Sequence, residues 1–552
     1  MKLTRKMLSF LLVMLLLLLA CQVSGITTPA ESTAAPAEPN GSSANASPAP
    51  LTTVVNRNQA LTLSGGESTN PRDYDPATQH DSGDKRLFSG LVSFDTHLNL
   101  VAELADSWDI SADGKVYTFH LRTYARFHDG RPVVAQDVIY SWERAAAPAT
   151  QSDTVLTYLG DILGVAEMHA GKAGHISGLK AHDEHTLQVT IDAAKPYFLS
   201  KLTMPVAFVL DKKNVESGPE WYRTPNGTGP YKLTRWDSFK VMVYDANPDY
   251  YLGMPSIPQI VMQLYTGVGI RLYESGEIDM TGISSADVAR VLDPAEPLHP
   301  DLVSDVSLCT DFIVFDSNRP PFDDLKVRQA FSLAFDRQKY IDVVENGAGI
   351  PAKGLYPPAL PGYNLDLKGL SLDVRQAREL LVQSKYGGPQ GLPPIVYTSL
   401  GIGNTADAGV AAMAQMWEQN LGVKITIENL EPDKYLDLLY SGQHGQIFSN
   451  GWCADYPDPE NFADVLFHTG SQQNIGRYSN PALDAILDQA RLEQDATKRI
   501  QLYQQAEQVL VQDAPALFIS HPVDYMLVKP YVKGFVLTPI SIPIERYLSL
   551  QH

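Results

Sequence analysis

The chain has 552 residues, with 43 basic and 63 acidic side chains, a formal net charge of -20 and a hydrophobic fraction of 44%. An acidic body of this kind repels phosphates, and no basic stripe with interleaved aromatics offsets it, so nucleic acid is excluded as a partner. The length is enough for two or three domains with a large buried core.

At the N-terminus Lys2, Arg5 and Lys6 precede an apolar run from Met7 to Ala20, broken only by Ser9. A charged start, an apolar stretch and a small residue before a break are the parts of a signal peptide, placed here at residues 1–20. The run falls short of the roughly 20 residues a spanning helix needs. Leu18-Leu19-Ala20-Cys21 resembles a bacterial lipobox. That resemblance implies that Cys21 becomes the first mature residue and carries a diacylglycerol on its sulfur, with an ordinary secretory signal as the alternative. From Gln22 to Thr53 the chain is mostly Ser, Ala, Pro, Thr and Gly, with only Glu31 and Glu38 charged. Such a segment has too little apolar surface to offset the entropy of ordering. Residues 21–53 therefore read as a lipidated Cys and a disordered tether with a reach of roughly 30 Å.

The body that follows interleaves strand and helix signals, which predicts an α/β architecture. Val116 to Leu121 and Thr186 to Ile191 alternate in strand fashion, each preceded by turn residues, Asp113-Gly114 and His182-Asp183-Glu184. Helical periodicity marks Ala135 to Ala146, Leu325 to Phe335, Val410 to Leu421 and Pro481 to Val511, the last broken near Asp495-Ala496.

Catalytic motifs are missing: no GxSxG elbow, P-loop, dinucleotide fingerprint or calcium loop occurs. His182-Asp183-Glu184-His185 lacks the HExxH order and falls in a predicted hairpin turn, so no metal site is expected there. Asp323-Asp324 and the acids around Asp455 are individually uninformative in a chain with 63 acids. The reading is of a non-enzyme without cofactor. With Cys21 assigned to lipid, Cys309 and Cys453 remain, and an even remainder in an exported protein suggests pairing, with two buried free thiols as the alternative. A bond between them would restrict the unfolded chain by roughly 5 kcal/mol in the entropy model.

A series of fragments carries a resemblance to a family. Leu104-Ala105-Asp106-Ser107-Trp108 is followed by Tyr117 to Arg122, Phe127-His128-Asp129-Gly130 and Asp137 to Trp142. Gly178 to Ala181, Asn226 to Leu233, Asn247 to Tyr251 and Ser275 to Thr281 continue it. Val327 to Ala330, Phe335-Asp336-Arg337 and Gly451-Trp452-Cys453-Ala454-Asp455-Tyr456 complete it. In this order the fragments resemble the large extracytoplasmic solute-binding proteins of oligopeptide and dipeptide ABC transporters, family 5. Most of them have structural readings of their own. Gly227 to Tyr231 and Asp129-Gly130 read as turns, Trp108 and Trp142 as packing, and Arg328 as a structural ion pair.

The resemblance implies a two-lobed periplasmic-binding-protein-like fold of the large, three-domain class, with a hinge between the lobes. Lobe one is expected at 54–308, with an extra domain at about 93–193 and completion by 522–552; lobe two is expected at 309–521. Oligopeptides are the implied ligand, a membrane permease and its ATPase the implied partners. The implied location is the extracytoplasmic face of the cytoplasmic membrane, held by the lipid anchor, and a monomer is expected. At the implied site Asp455 accepts the ligand's terminal ammonium, while Trp452 and Tyr456 line the same pocket. Capping of the following turn is the structural alternative for Asp455. Binders of this type also join their Leu-Cys-Thr and Trp-Cys-Ala segments, which implies a Cys309–Cys453 disulfide. The chain departs from its relatives where they hold the peptide carboxylate with cations: Ser449 and Ala406 stand at two such positions. The same fold binding a nickel complex, haem, an oligosaccharide or an opine, or acting as a sensory lipoprotein, is the alternative function.

Overall fold

The protein is described from a computed structural model covering residues 56–65, 74–78, 83–264, 267–401 and 407–552. The signal peptide, Cys21, the tether and Ala406 lie outside these residues.

A twelve-stranded sheet organises the molecule, and its pivot is the thirteen-residue strand Ala516–Val528. The first half of that strand pairs antiparallel with Cys309–Phe315, and its Ser520 to Pro522 pair with Gly349–Pro351. From Val523 onward it pairs instead with Leu302–Val306, and Val528 faces Met280 of Met280–Gly282. One strand thus belongs to two bodies of sheet, and the chain passes between them at Ser307-Leu308 and again beside Pro522.

On one side Ala60–Ser64 runs parallel to Gln259–Gln263, and the sheet continues antiparallel through Val241–Ala246 to Tyr231–Asp237. On the other, Cys309–Phe315 pairs with Ile447–Cys453, which is followed outward by Ile395–Leu400 and Ile425–Leu430 in parallel. Helices Leu325–Leu333, Val374–Gln383 and Ala408–Leu421 cover this second body. Trp417 is fully buried there against Phe331 and Phe335, and its Nε1–H donates to the Phe331 carbonyl at 3.0 Å. Burial of each such large apolar side chain contributes roughly 1.5–3 kcal/mol.

A separate four-stranded sheet is formed by Ala105–Ile110, Val116–Leu121, Thr186–Thr190 and Leu179–Asp183, in that order. Val116–Leu121 alternates half-buried and buried residues along its length, which is why it reads so clearly as a strand. The expected helix Ala135–Ala146 packs on it, with Trp142 fully buried and donating to the Ala207 carbonyl. Its core is continuous with that of the second body, joining Phe119 and Trp142 to Tyr456, Phe462 and Leu510.

The long C-terminal helical pattern forms two helices, Pro481–Leu492 and Ala496–Asp513, with Asp495 accepting from the N–H groups of Thr497 and Lys498 at the break. Two sequence expectations require correction. Arg328 makes no ion pair among the described residues; its guanidinium donates to the carbonyls of Phe322 and Asp513, free acceptors at a turn and a helix end. Gly227 and Gly229 lack positive φ and serve close approach instead, because a Cβ would meet Leu87 O at 1.9 Å and Arg86 O at 2.4 Å.

Candidate functional site

The Ile447–Cys453 strand is inside the sheet at its start and open at its end. Its pairing with Ile395–Leu400 is confined to Tyr397↔Ile447 and Thr398↔Phe448. On its other side every residue from Ile447 to Cys453 is paired with Cys309–Phe315. Ser449 to Cys453 therefore present one strand edge without a strand partner among the described residues, the geometry that accepts an added extended chain.

Cys453 and Cys309 face each other in register and are joined by a disulfide, with a Cα–Cα distance of 4.0 Å. The bond fixes the end of the open edge to the start of the neighbouring strand. Ala454 N–H then donates to the Leu308 carbonyl at 2.8 Å, holding the chain as it leaves the sheet.

Regular structure stops because Pro457 and Pro459 cannot continue the ladder. Asp458 begins the next element: its Oδ1 accepts from Glu460 N–H at 2.9 Å, at the entrance to helix Glu460–Phe467. Its carboxylate is gripped by Arg499 through bonds of 2.6 and 2.8 Å. The loop between strand and helix is thus pinned at both ends, and Asp455 and Tyr456 lie within it.

Asn461, fully buried in the first turn of that helix, binds Asp455 of the loop and Trp452 at the end of the strand. Its Oδ1 accepts from Asp455 N–H at 2.9 Å and from Trp452 Nε1–H at 3.2 Å. Its Nδ2 donates to Asp455 Oδ2 at 2.9 Å. The same carboxylate oxygen accepts from Tyr158 Oη at 2.9 Å, a residue 297 positions earlier in the chain. Two donors on one oxygen fix the orientation of the half-buried Asp455 carboxylate at the end of the open edge.

Trp452 is half-buried against the main core, with an indole orientation set by Asn461. Tyr456 is fully buried and donates to Glu460 Oε2, so it supports the loop from behind and contributes no surface. Behind it lies a dense polar layer. Lys201 donates to Asp161 at 2.9 Å, and Arg491 to Asp464 at 2.6 Å. Burial raises the Glu460 carboxyl, opposed by Lys201, and pushes Asp464 up to about 7, opposed by Arg491.

Ser449, at the far end of the open edge, is exposed, and its hydroxyl is bonded to Tyr397 Oη. His182 bonds Gln188 at 2.8 Å across its hairpin, and no group of three or more metal-ligating side chains exists among the described residues. Asp324 caps helix Leu325–Leu333 through Lys326 N–H, and Asp323 pairs with Lys385 at 2.6 Å. Tyr158 and Asn461 were not singled out by the sequence. Asn461 lies on a short helix between Glu460 and Phe462 with no motif to mark it, and Tyr158 in a segment that reads as core.

Two bodies of sheet sharing one strand, with a carboxylate and an open strand edge between sheet and loop, fit the fold of the two-lobed solute-binding proteins. The sequence of residues 99–474 matches the model of the bacterial extracellular solute-binding proteins, family 5. The chain belongs to this family. It is 32% identical to the periplasmic oligopeptide-binding protein OppA of Escherichia coli over 467 residues, 81% of this chain and 84% of that one. It is equally 32% identical over 466 residues to the probable deoxycholate-binding periplasmic protein YgiS of the same organism, 82% of this chain and 85% of that one. The Haemophilus influenzae OppA structure in complex with the peptide RPPGFSPFR superposes with a TM-score of 0.72 at 25% identity, covering 89% of this chain and 99% of that one.

Proposed function

We propose that this protein captures oligopeptides outside the cytoplasmic membrane and delivers them to an ABC importer. The observation that carries the reading is the Asp455 carboxylate, oriented by Asn461 and Tyr158 beside a strand edge that has no strand partner among the described residues. A terminal ammonium is common to nearly all free peptides, and a desolvated charge-assisted bond to it supplies orientation as well as energy. The peptide backbone then pairs with the Ser449–Cys453 edge, and Trp452 walls one side chain. In this reading Cys21 carries the lipid, residues 22–53 are its tether, and the acidic body works as a monomer against the membrane permease.

Lobe one comprises 54–308 and 522–552, with the extra domain at about 93–193, and lobe two 309–521. Support for these limits comes from the change of partners along Ala516–Val528 at Pro522-Val523. Closure around ligand is a shift between open and closed populations about this strand. Identity alone does not choose the cargo, because a relative named for deoxycholate is as similar as the oligopeptide binder. An amine-recognising carboxylate favours peptides over a bile acid, whose own charge is negative. The test is mass spectrometry of material released when the purified protein is denatured. Peptides support the proposal; a bile acid, metal complex or sugar recovered in their place would refute it.

A further inference from the structure

On the strand paired with the edge strand, the Asp311 carboxylate has no partner among the described residues. Asp311 lies on Cys309–Phe315 directly opposite Gly451, and its other register neighbour is Ser520. Its half-buried side chain takes part in no hydrogen bond or ion pair with any described residue. Glu345 stands beside it, with Oε1 accepting from Ser520 Oγ at 2.9 Å. Burial pushes the Asp311 carboxyl up to about 7, with the Glu345 charge as the second cause, and burial also raises Glu345. Among the described residues no lysine, arginine or histidine contributes to either shift. The nearby Tyr340 hydroxyl is raised by burial and then by Tyr397, Glu345, Asp407 and Asp311, all of them acidic groups. Arg337, a half-buried cation at the start of helix Arg337–Val343, donates to the carbonyls of Phe518 and Leu370.

The geometry sets what would neutralise it. Asp311 shares a sheet face with Cys309, which is bonded to the exposed Cys453 at the cleft end of that face. Gly451 has no side chain to stand between Asp311 and a chain added at the open edge. Such a chain would run two strand spacings away, roughly 10 Å. An extended lysine side chain of about 6 Å, the aspartate side chain of about 2.5 Å and a charge-assisted bond of about 2.8 Å between them together cover that span.

We infer that Asp311, backed by Glu345, selects peptides carrying a cationic side chain at the position that passes Gly451. The inference rests on the peptide reading above and narrows it to basic peptides.

The test is calorimetry of the purified protein with tetra-alanine peptides carrying Lys at the second, third or fourth position, each matched to a twin with Gln there. For one position the Lys peptide is expected to bind roughly tenfold or more tighter than its Gln twin. Asp311→Asn should bring the pair within about twofold while leaving the Gln twin unchanged. Glu345→Gln, at the rim of the patch, should reduce the same preference, and a thermal melt of Asp311→Asn should match or exceed wild type, because the lost charge is unpaired. Twins that bind alike at every position, or a Lys preference that survives both substitutions, would overturn this inference and leave peptide capture standing. Failure of every peptide to bind would overturn both.

Discussion

Glu507 offers a stability test with a worked magnitude. It lies on helix Ala496–Asp513, is fully buried, and its Oε1 accepts from Tyr356 N–H at 2.9 Å while Oε2 has no partner among the described residues. Burial pushes its carboxyl from the ordinary 4.5 up to about 7, opposed only by backbone hydrogen bonds from Tyr356 and Leu355. A carboxyl raised in the folded state binds its proton more tightly there than in the unfolded chain. Its contribution is therefore fully present below pH 4.5 and is lost as pH rises through about 7. The difference corresponds to about 3 kcal/mol, most of it lost between about pH 5 and 8.5. Glu507→Gln removes the ionisation. Urea unfolding of both proteins at pH 5 and pH 8.5 should show the variant gaining about 2–3 kcal/mol on wild type between the two conditions. A gap of the same size at both pH values would refute the reasoning.

Three further outcomes are expected. Tyr158→Phe deletes one hydrogen bond to the Asp455 carboxylate and should weaken binding of a free tripeptide by about 1.5–3 kcal/mol while leaving its N-acetylated form unaffected, as read by calorimetry. Cys309→Ser with Cys453→Ser should lower stability by about 2–5 kcal/mol in thermal or urea unfolding, and reductant should then have no further effect on the variant. Gly229→Ala drives a Cβ toward Arg86 O at 2.4 Å and the Arg86 and Leu87 carbonyl carbons at 2.7 Å, so the expressed protein should unfold at lower urea than wild type by about 1–3 kcal/mol. A variant as stable as wild type would show that residues 86–87 move aside freely.

Legibility followed the range of the interactions involved. Elements governed by local pattern could be read from sequence: the alternation of Val116–Leu121, the apolar stripe of Ala135–Ala146, the Asp495 break between the last helices. The pairing of Cys309 with Cys453 was implied by resemblance, and the register that makes it possible is a property of the sheet. Asp455 was singled out through its motif, but the residues that orient it were not. Tyr158 reaches it from 297 positions away, and Asn461 acts through an amide that leaves no periodic trace. Arg328 was read as an ion pair and Gly227 to Tyr231 as a turn, whereas backbone carbonyls at Phe322 and Asp513 hold the first and close approach to Arg86-Leu87 decides the second. The absence of a cation beside Asp311 is likewise a tertiary fact that no motif encodes.

The amine site is the claim on which peptide capture depends, and calorimetry of wild type and Asp455→Asn with tri-alanine and N-acetyl-tri-alanine tests it most directly. Acetylation of the ligand and substitution of the carboxylate should each weaken binding by roughly 2–5 kcal/mol, and the two together by little more than either alone, because both remove the same ion pair. Affinity that is indifferent to both changes would contradict the account and remove Asp455 from the site.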